Sequence, residues 1–143
     1  MTEATIVYGA KVERSTDGTD YTKIPEAKGI AVPATTTEYQ DVTNLDSPNG
    51  FREYIKGLKD AGETSIPCNY TRTGYQQQIA DQNAAGAIHY RITMPLVKGQ
   101  TAGDTFTYKA YPTVELEGDD IGGIVGMNVA LRITGDVTWT VGS

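Results

Sequence analysis

At 143 residues the chain is the size of one domain, and residues 1–143 are read as a single unit. Hydrophobic residues make up 38% and charged residues 21%, with 16 Gly and 6 Pro, enough apolar material for a core but unlike a helical bundle. Twelve Lys and Arg against 18 Asp and Glu leave a net charge of −6, which works against adhesion to phosphate backbones or anionic lipid. The start, Met1-Thr2-Glu3-Ala4, lacks the basic and apolar stretches of a secretory signal, and no window approaches the roughly 20 apolar residues of a membrane helix. A soluble chain made in the cytoplasm is expected.

In chain order, Ile6, Tyr8, Ala10 and Val12 alternate weakly, and the turn dipeptide Asp17-Gly18 before Tyr21 to Ile24 predicts a hairpin. Ile30 and Val32, then Tyr39 and Val42, suggest further short strands. Residues 43–62 form an unusual segment, expected as a long loop with little regular structure. Within it Phe51, Tyr54, Ile55 and Leu58 have the spacing of an amphipathic helix, but Asn49-Gly50 and Gly57 oppose a long one. These large apolar side chains need a partner surface.

From Thr64 to Arg72, Ile66, Cys68 and Tyr70 alternate with polar residues, which predicts a strand with Cys68 in the core. A helix is predicted over about 74–85. Thr73 would cap it, Gln76 would complete a capping box and Gly86 would end it. Its Gln77, Gln78, Asp81 and Gln82 are expected to face solvent, with Ala80 and Ala84 against a sheet. Ile88 to Leu96 and Thr105 to Glu117 alternate as strands, and Pro112 calls for an edge or a bulge because it lacks an N–H. Val125 to Ile133 alternates too, and Val137, Trp139 and Val141 resume the same parity after Gly135, as one bent strand or two.

The residues for catalysis are missing. His89 is the only histidine and Cys68 the only cysteine, so neither a His-based metal cluster nor a disulfide within the chain can form. Asp119-Asp120 after Glu115 and Glu117 invites a calcium reading, but Asp119 to Gly123 is better explained as a hairpin turn. No cofactor, metal or catalytic residue is assigned.

The run Asp41-Val42-Thr43-Asn44-Leu45-Asp46-Ser47-Pro48-Asn49-Gly50-Phe51-Arg52-Glu53-Tyr54-Ile55, then Gly57 to Glu63, then a strand, then Gly74-Tyr75-Gln76-Gln77, resembles the tail tube (major tail) proteins of long-tailed, non-contractile bacteriophages. The resemblance extends from about residue 28 onward. It implies a mainly β fold, a β-sandwich or barrel-like domain with one flanking helix, closed into a six-membered ring. Such rings stack into a hollow virion tube through which DNA passes without specific binding. It also implies no enzymatic activity, a tape-measure protein inside the tube, and terminator and tip proteins at its ends. The competing class is a ligand-binding β-sandwich module for sugar or peptide, to which the nine tyrosines could contribute.

Two site assignments follow. Asn44, Leu45, Asp46, Ser47, Pro48, Asn49, Gly50 and Phe51, with Tyr54, Ile55 and Leu58, are expected to meet the next ring or subunit and to gain order on burial. Glu115 and Glu117, on the polar side of a long strand, and Asp136 are the candidates for a channel of net negative charge.

Overall fold

The computed structural model describes residues 4–97, 99–118 and 120–143. Eight strands and one α-helix occur among them: β1 Lys11–Ser15, β2 Thr22–Lys23, β3 Thr36–Asp41, β4 Tyr54–Asp60, β5 Glu63–Asn69, α1 Arg72–Asn83, β6 Ile88–Thr93, β7 Thr105–Glu117 and β8 Gly126–Thr140. Six strands make one antiparallel sheet in the order β2-β1-β6-β7-β8-β5, curled into a half-barrel, while β3 and β4 pair only with each other. The expected hairpin around Asp17-Gly18 is β1–β2, in register Glu13 with Lys23. Ile30 and Val32 lie outside any strand; Tyr39 falls within β3.

Alternation puts one side chain in two on the concave face, and there the core forms. Val12, Ile66, Cys68, Ile88, Tyr90, Ile92, Tyr108, Ala110, Met127, Val129, Leu131 and Ile133 are all buried, joined by Ile24 and Ala31 from the crossing segment 24–33. Each large aliphatic contributes about 1.5–3 kcal/mol by leaving water. Burial also pushes the Cys68 thiol up to about 11, so it is an inert core group. The crossing segment links opposite edges of the sheet: after β2 it reaches β5, where Lys28 N–H donates to Pro67 O (2.8 Å) and Asn69 N–H to Glu26 O (3.0 Å). Tyr108 Oη donates to Ala31 O at 2.7 Å, which fastens the segment over the core.

β5 and β6 are shorter than their patterns suggest. Tyr70 and Leu96 lie beyond the strand ends and are exposed, and Pro95, which has no N–H to offer a ladder, follows the last residues of β6. β8 is one strand that continues through Gly135 (φ +84°). There the register with β7 moves from Thr107–Thr138 to Lys109–Thr134, so β8 carries two extra residues and the same parity resumes. Pro112 sits where β7 has outrun β6, whose last partner is Ala110. Val114 N–H, on the same side, is taken by the Gln82 side chain at 3.0 Å, so the missing donor of Pro112 interrupts no ladder.

The helix departs most from expectation. Its cap is Thr71, whose hydroxyl accepts from Gly74 N–H at 3.0 Å; Thr73 lies inside the first turn, and Ala84 rather than Gly86 ends the helix. A Cβ at Gly74 would stand 2.7 Å from the Thr71 hydroxyl, so the close approach requires glycine. The buried face is Gly74, Gln78 and Asp81, whereas Ala80 and Ala84 are exposed. The cause lies in β1. Arg14 shares the inward parity of Val12 and stands opposite Tyr90, so a guanidinium enters the core side and needs a buried acceptor. Asp81 supplies it, taking Arg14 Nε at 2.7 Å and the adjacent Arg14 nitrogen on its other oxygen. Burial pushes the Asp81 carboxyl up, and Arg14 pulls it back.

Candidate assembly surfaces

The predicted long loop over residues 43–62 is irregular through residue 53 apart from one 3-10 turn, and its second part is the strand β4, which closes a hairpin with β3. β3 and β4 pair from Thr36–Asp60 to Asp41–Tyr54, and only residues 42–53 are irregular, so Tyr54, Ile55 and Leu58 belong to a strand. Gly57 and the Asn49-Gly50 turn remove the helical option, leaving cross-strand hydrogen bonding to satisfy the backbone. Every residue of β4 is exposed, so this arm buries little of its own apolar surface. Leu45, Phe51 and Leu58 are 105%, 72% and 79% exposed.

The tip of the arm is shaped by its own polar groups. Asn44 Oδ1 accepts from Asp46 N–H (2.8 Å), and Ser47 Oγ accepts from Asn44 N–H (3.0 Å) while donating to Glu53 (2.7 Å). Pro48–Gly50 makes one 3-10 turn with Asn49 at φ 55°, closed by Phe51 N–H on Pro48 O at 3.2 Å. At the base of the tip, hydrogen bonds from Thr43 hold the Asp41 carboxyl below its ordinary range, and Arg52 pairs with it at 3.0 Å. Much of the backbone polarity is met internally, and the apolar side chains Leu45 and Phe51 are what the tip offers to a partner.

A bulge then sorts the arm into two unlike faces. The register shifts between Thr37–Lys59 and Tyr39–Lys56, so Gly57 and Leu58 together oppose Glu38. Strict alternation would send Lys56 and Lys59 to opposite sides; the bulge puts both on the side of Tyr39 and Tyr54. The other side carries Glu38 and Gln40 with Ile55.

The convex face of the large sheet is polar. In register across it lie Lys11, Lys23, Arg91, Lys109 and Arg132, together with Glu13, Glu63, Glu115 and Glu117, so bases and acids are nearly balanced. The chain's excess of acid is therefore not concentrated on this face. Glu115 and Glu117 sit at the far end of β7, opposite Asn128 and Gly126. Asp136 is in the bulged part of β8, where it lines a shallow depression with Tyr21, His89, Lys109 and Thr138. The three acids are thus not brought together. Arg91 pairs with Glu13 at 3.1 Å and lies 4.1 Å over the Tyr21 ring.

A further apolar surface was not legible beforehand. The β7–β8 turn exposes Ile121 (106%), Ile124 and Val125, with Leu116 beside them, and carries Asp120 next to the acidic end of β7. The turn expected over 119–123 is present: Asp120 O accepts Gly123 N–H at 2.9 Å, while Asp119 lies outside the described residues. Among the described residues no three His, Cys, Asp or Glu side chains gather to hold a metal ion.

A family model described as the lambda phage tail tube protein matches residues 7–110. The chain belongs to that family. It is a structural protein of the phage tail tube and a component of the virion tail. The resemblance drawn from residues 41–63 and 74–77 is to the same family. A search of the curated proteins finds no match. Among solved structures, the fold is similar to the SPP1 tail tube (16% identity over 94% of this chain and 77% of that one, TM-score 0.62). It is also similar to a chain from the tail of an empty gene transfer agent particle refined with C6 symmetry (18%, 96% and 100%, TM-score 0.67). A third match is the tube-terminating cap of the anti-feeding prophage (13%, 99% and 93%, TM-score 0.73).

Proposed function

We propose that this tail tube protein closes into hexameric rings that stack into a hollow tube, with the convex polar face of the sheet lining the bore. The observation that carries the reading is the pair of open half-edges on the two longest strands. β7 beyond Ala110 has a strand on one side only, its other side meeting just the Gln82 side chain at Val114 N–H, and β8 beyond Ile133, whose N–H is held by Gly62 O, has β7 on one side only. Bare strand edges invite pairing, and a head-to-tail ring in which the edge of one subunit meets the other edge of its neighbour removes both kinds.

In this arrangement the hairpin arm, with Phe51, Tyr54, Ile55 and Leu58 as anchors, reaches a neighbouring subunit or ring. The bore is nearly neutral along most of its length: Lys109 and Asp136 face it together, and Glu115 and Glu117 form an acidic rim. Paired and balanced charges give phosphates no continuous basic track, so the duplex passes without specific binding. A tape-measure protein occupies the tube during assembly, and terminator and tip proteins close its ends. The protein catalyses no reaction. Sixfold rings in cryo-microscopy cross-sections of the purified, polymerised protein are the expected result; another symmetry, or a stable monomer at high concentration, would overturn the reading.

A further inference from the structure

The exposed apolar residues outside the arm fall into distinct patches with different electrostatic settings. Ile6, Val7 and Tyr8 precede Lys11, and Trp139 and Val141 stand next to threonines 138 and 140. The β7–β8 turn combines bare aliphatics, Ile121 and Ile124, with three neighbouring acids, Glu115, Glu117 and Asp120. Opposite in character is the arm face on which the bulge gathers Tyr39, Tyr54, Lys56 and Lys59. Both tyrosines are more than half exposed, and neither lysine has an ion-pair partner within the chain among the described residues.

We infer that these two surfaces are each other's partners between copies: the tyrosine-lysine face of the arm seats on the β7–β8 turn of another subunit. The inference rests on the polymerisation proposed above and says which surfaces meet. Apolar burial of Ile121 and Ile124 against the Tyr39 and Tyr54 rings would supply attraction, while Lys56 and Lys59 meeting Glu115 and Glu117 would select the partner and its register. The bulge is what makes the contact possible. With strict alternation through residues 56–59, Lys59 would point away from Lys56 and only one of the two lysines would lie on this face. Because donor face and acceptor turn are different surfaces of one chain, the contact is heterologous and propagates from copy to copy.

Charge reversal tests this. In wild-type protein that forms tubes, Lys56→Glu with Lys59→Glu, and separately Glu115→Lys with Glu117→Lys, should each abolish tube formation while circular dichroism shows a folded chain. All four substitutions in one chain should restore it. Zero-length carbodiimide coupling of mixed isotope-labelled and unlabelled wild-type tubes should yield an interchain amide between residue 56 or 59 and residue 115 or 117. Normal polymerisation by either reversed variant, failure of the fourfold variant to recover, or absence of that cross-linked peptide would overturn the pairing. Failure of the wild type itself to form tubes would instead count against the proposed function.

Discussion

Replacing Arg14 by methionine isolates the buried Arg14–Asp81 ion pair that ties the helix to the sheet. Asp81 is 2% exposed and its partner 14%, so the orphaned carboxyl could not recover water without moving α1. Removing one member of a buried pair typically costs about 3–5 kcal/mol. An independent ceiling comes from protonation: from an ordinary value of 3.8, holding a carboxyl neutral costs about 4 kcal/mol at pH 7 and about 2 kcal/mol at pH 5. The sign follows directly. Without the guanidinium the folded-state carboxyl titrates higher still, so the variant gains stability as pH falls from 7 to 5. At pH 7 the loss is a large share of the roughly 5–15 kcal/mol typical of a domain. Urea unfolding of wild type, Arg14→Met and Arg14→Met with Asp81→Asn at both pH values would measure it. The single variant should lose about 4 kcal/mol at pH 7 and about half of that at pH 5, and the second change should recover most of the deficit. A loss below about 1 kcal/mol, or one independent of pH, would refute the account of Asp81 as a buried, partner-dependent carboxylate.

Phe51→Ala with Tyr54→Ala should leave a folded monomer that no longer forms tubes, since central aromatic anchors commonly contribute about 2 kcal/mol or more each; sedimentation and negative-stain microscopy would show it. Asp17 is held well below the ordinary carboxylate range by the N–H groups of Thr19 and Asp20 and by Ser15. Its contribution is therefore complete above about pH 4 and is lost as pH falls further, so the stability gap between wild type and Asp17→Asn should close in acid denaturation curves. Asp136→Lys should still assemble but slow DNA ejection from reconstituted particles, more so at low salt, because it adds attraction beside Lys109. Unchanged ejection kinetics would remove Asp136 from the bore.

The secondary structure of the large sheet was legible because one buried face imposes period-two alternation that no other constraint masks. β7 has the same ends, Thr105 and Glu117, in sequence pattern and in structure, and Gly135 marks the bend of β8 in both. Family resemblance was likewise readable from residues 41–63. Where alternation meets no buried face, it carried no such signal: β4 is exposed on both sides, and its Tyr54, Ile55 and Leu58 imitate a helical stripe because a bulge shifts their phase. The helix misled for the converse reason. Gln78 and Asp81 look solvated by composition, and only the three-dimensional position of Arg14, 67 residues earlier than Asp81, turns that face inward. An arginine at the inward parity of β1 was the available hint, but the partner it requires is a long-range choice. Local alternation determines which residues form strands and which side is apolar; bulges, ion pairs and the meeting of distant edges depend on contacts between residues far apart in the chain, and tertiary packing alone decides them.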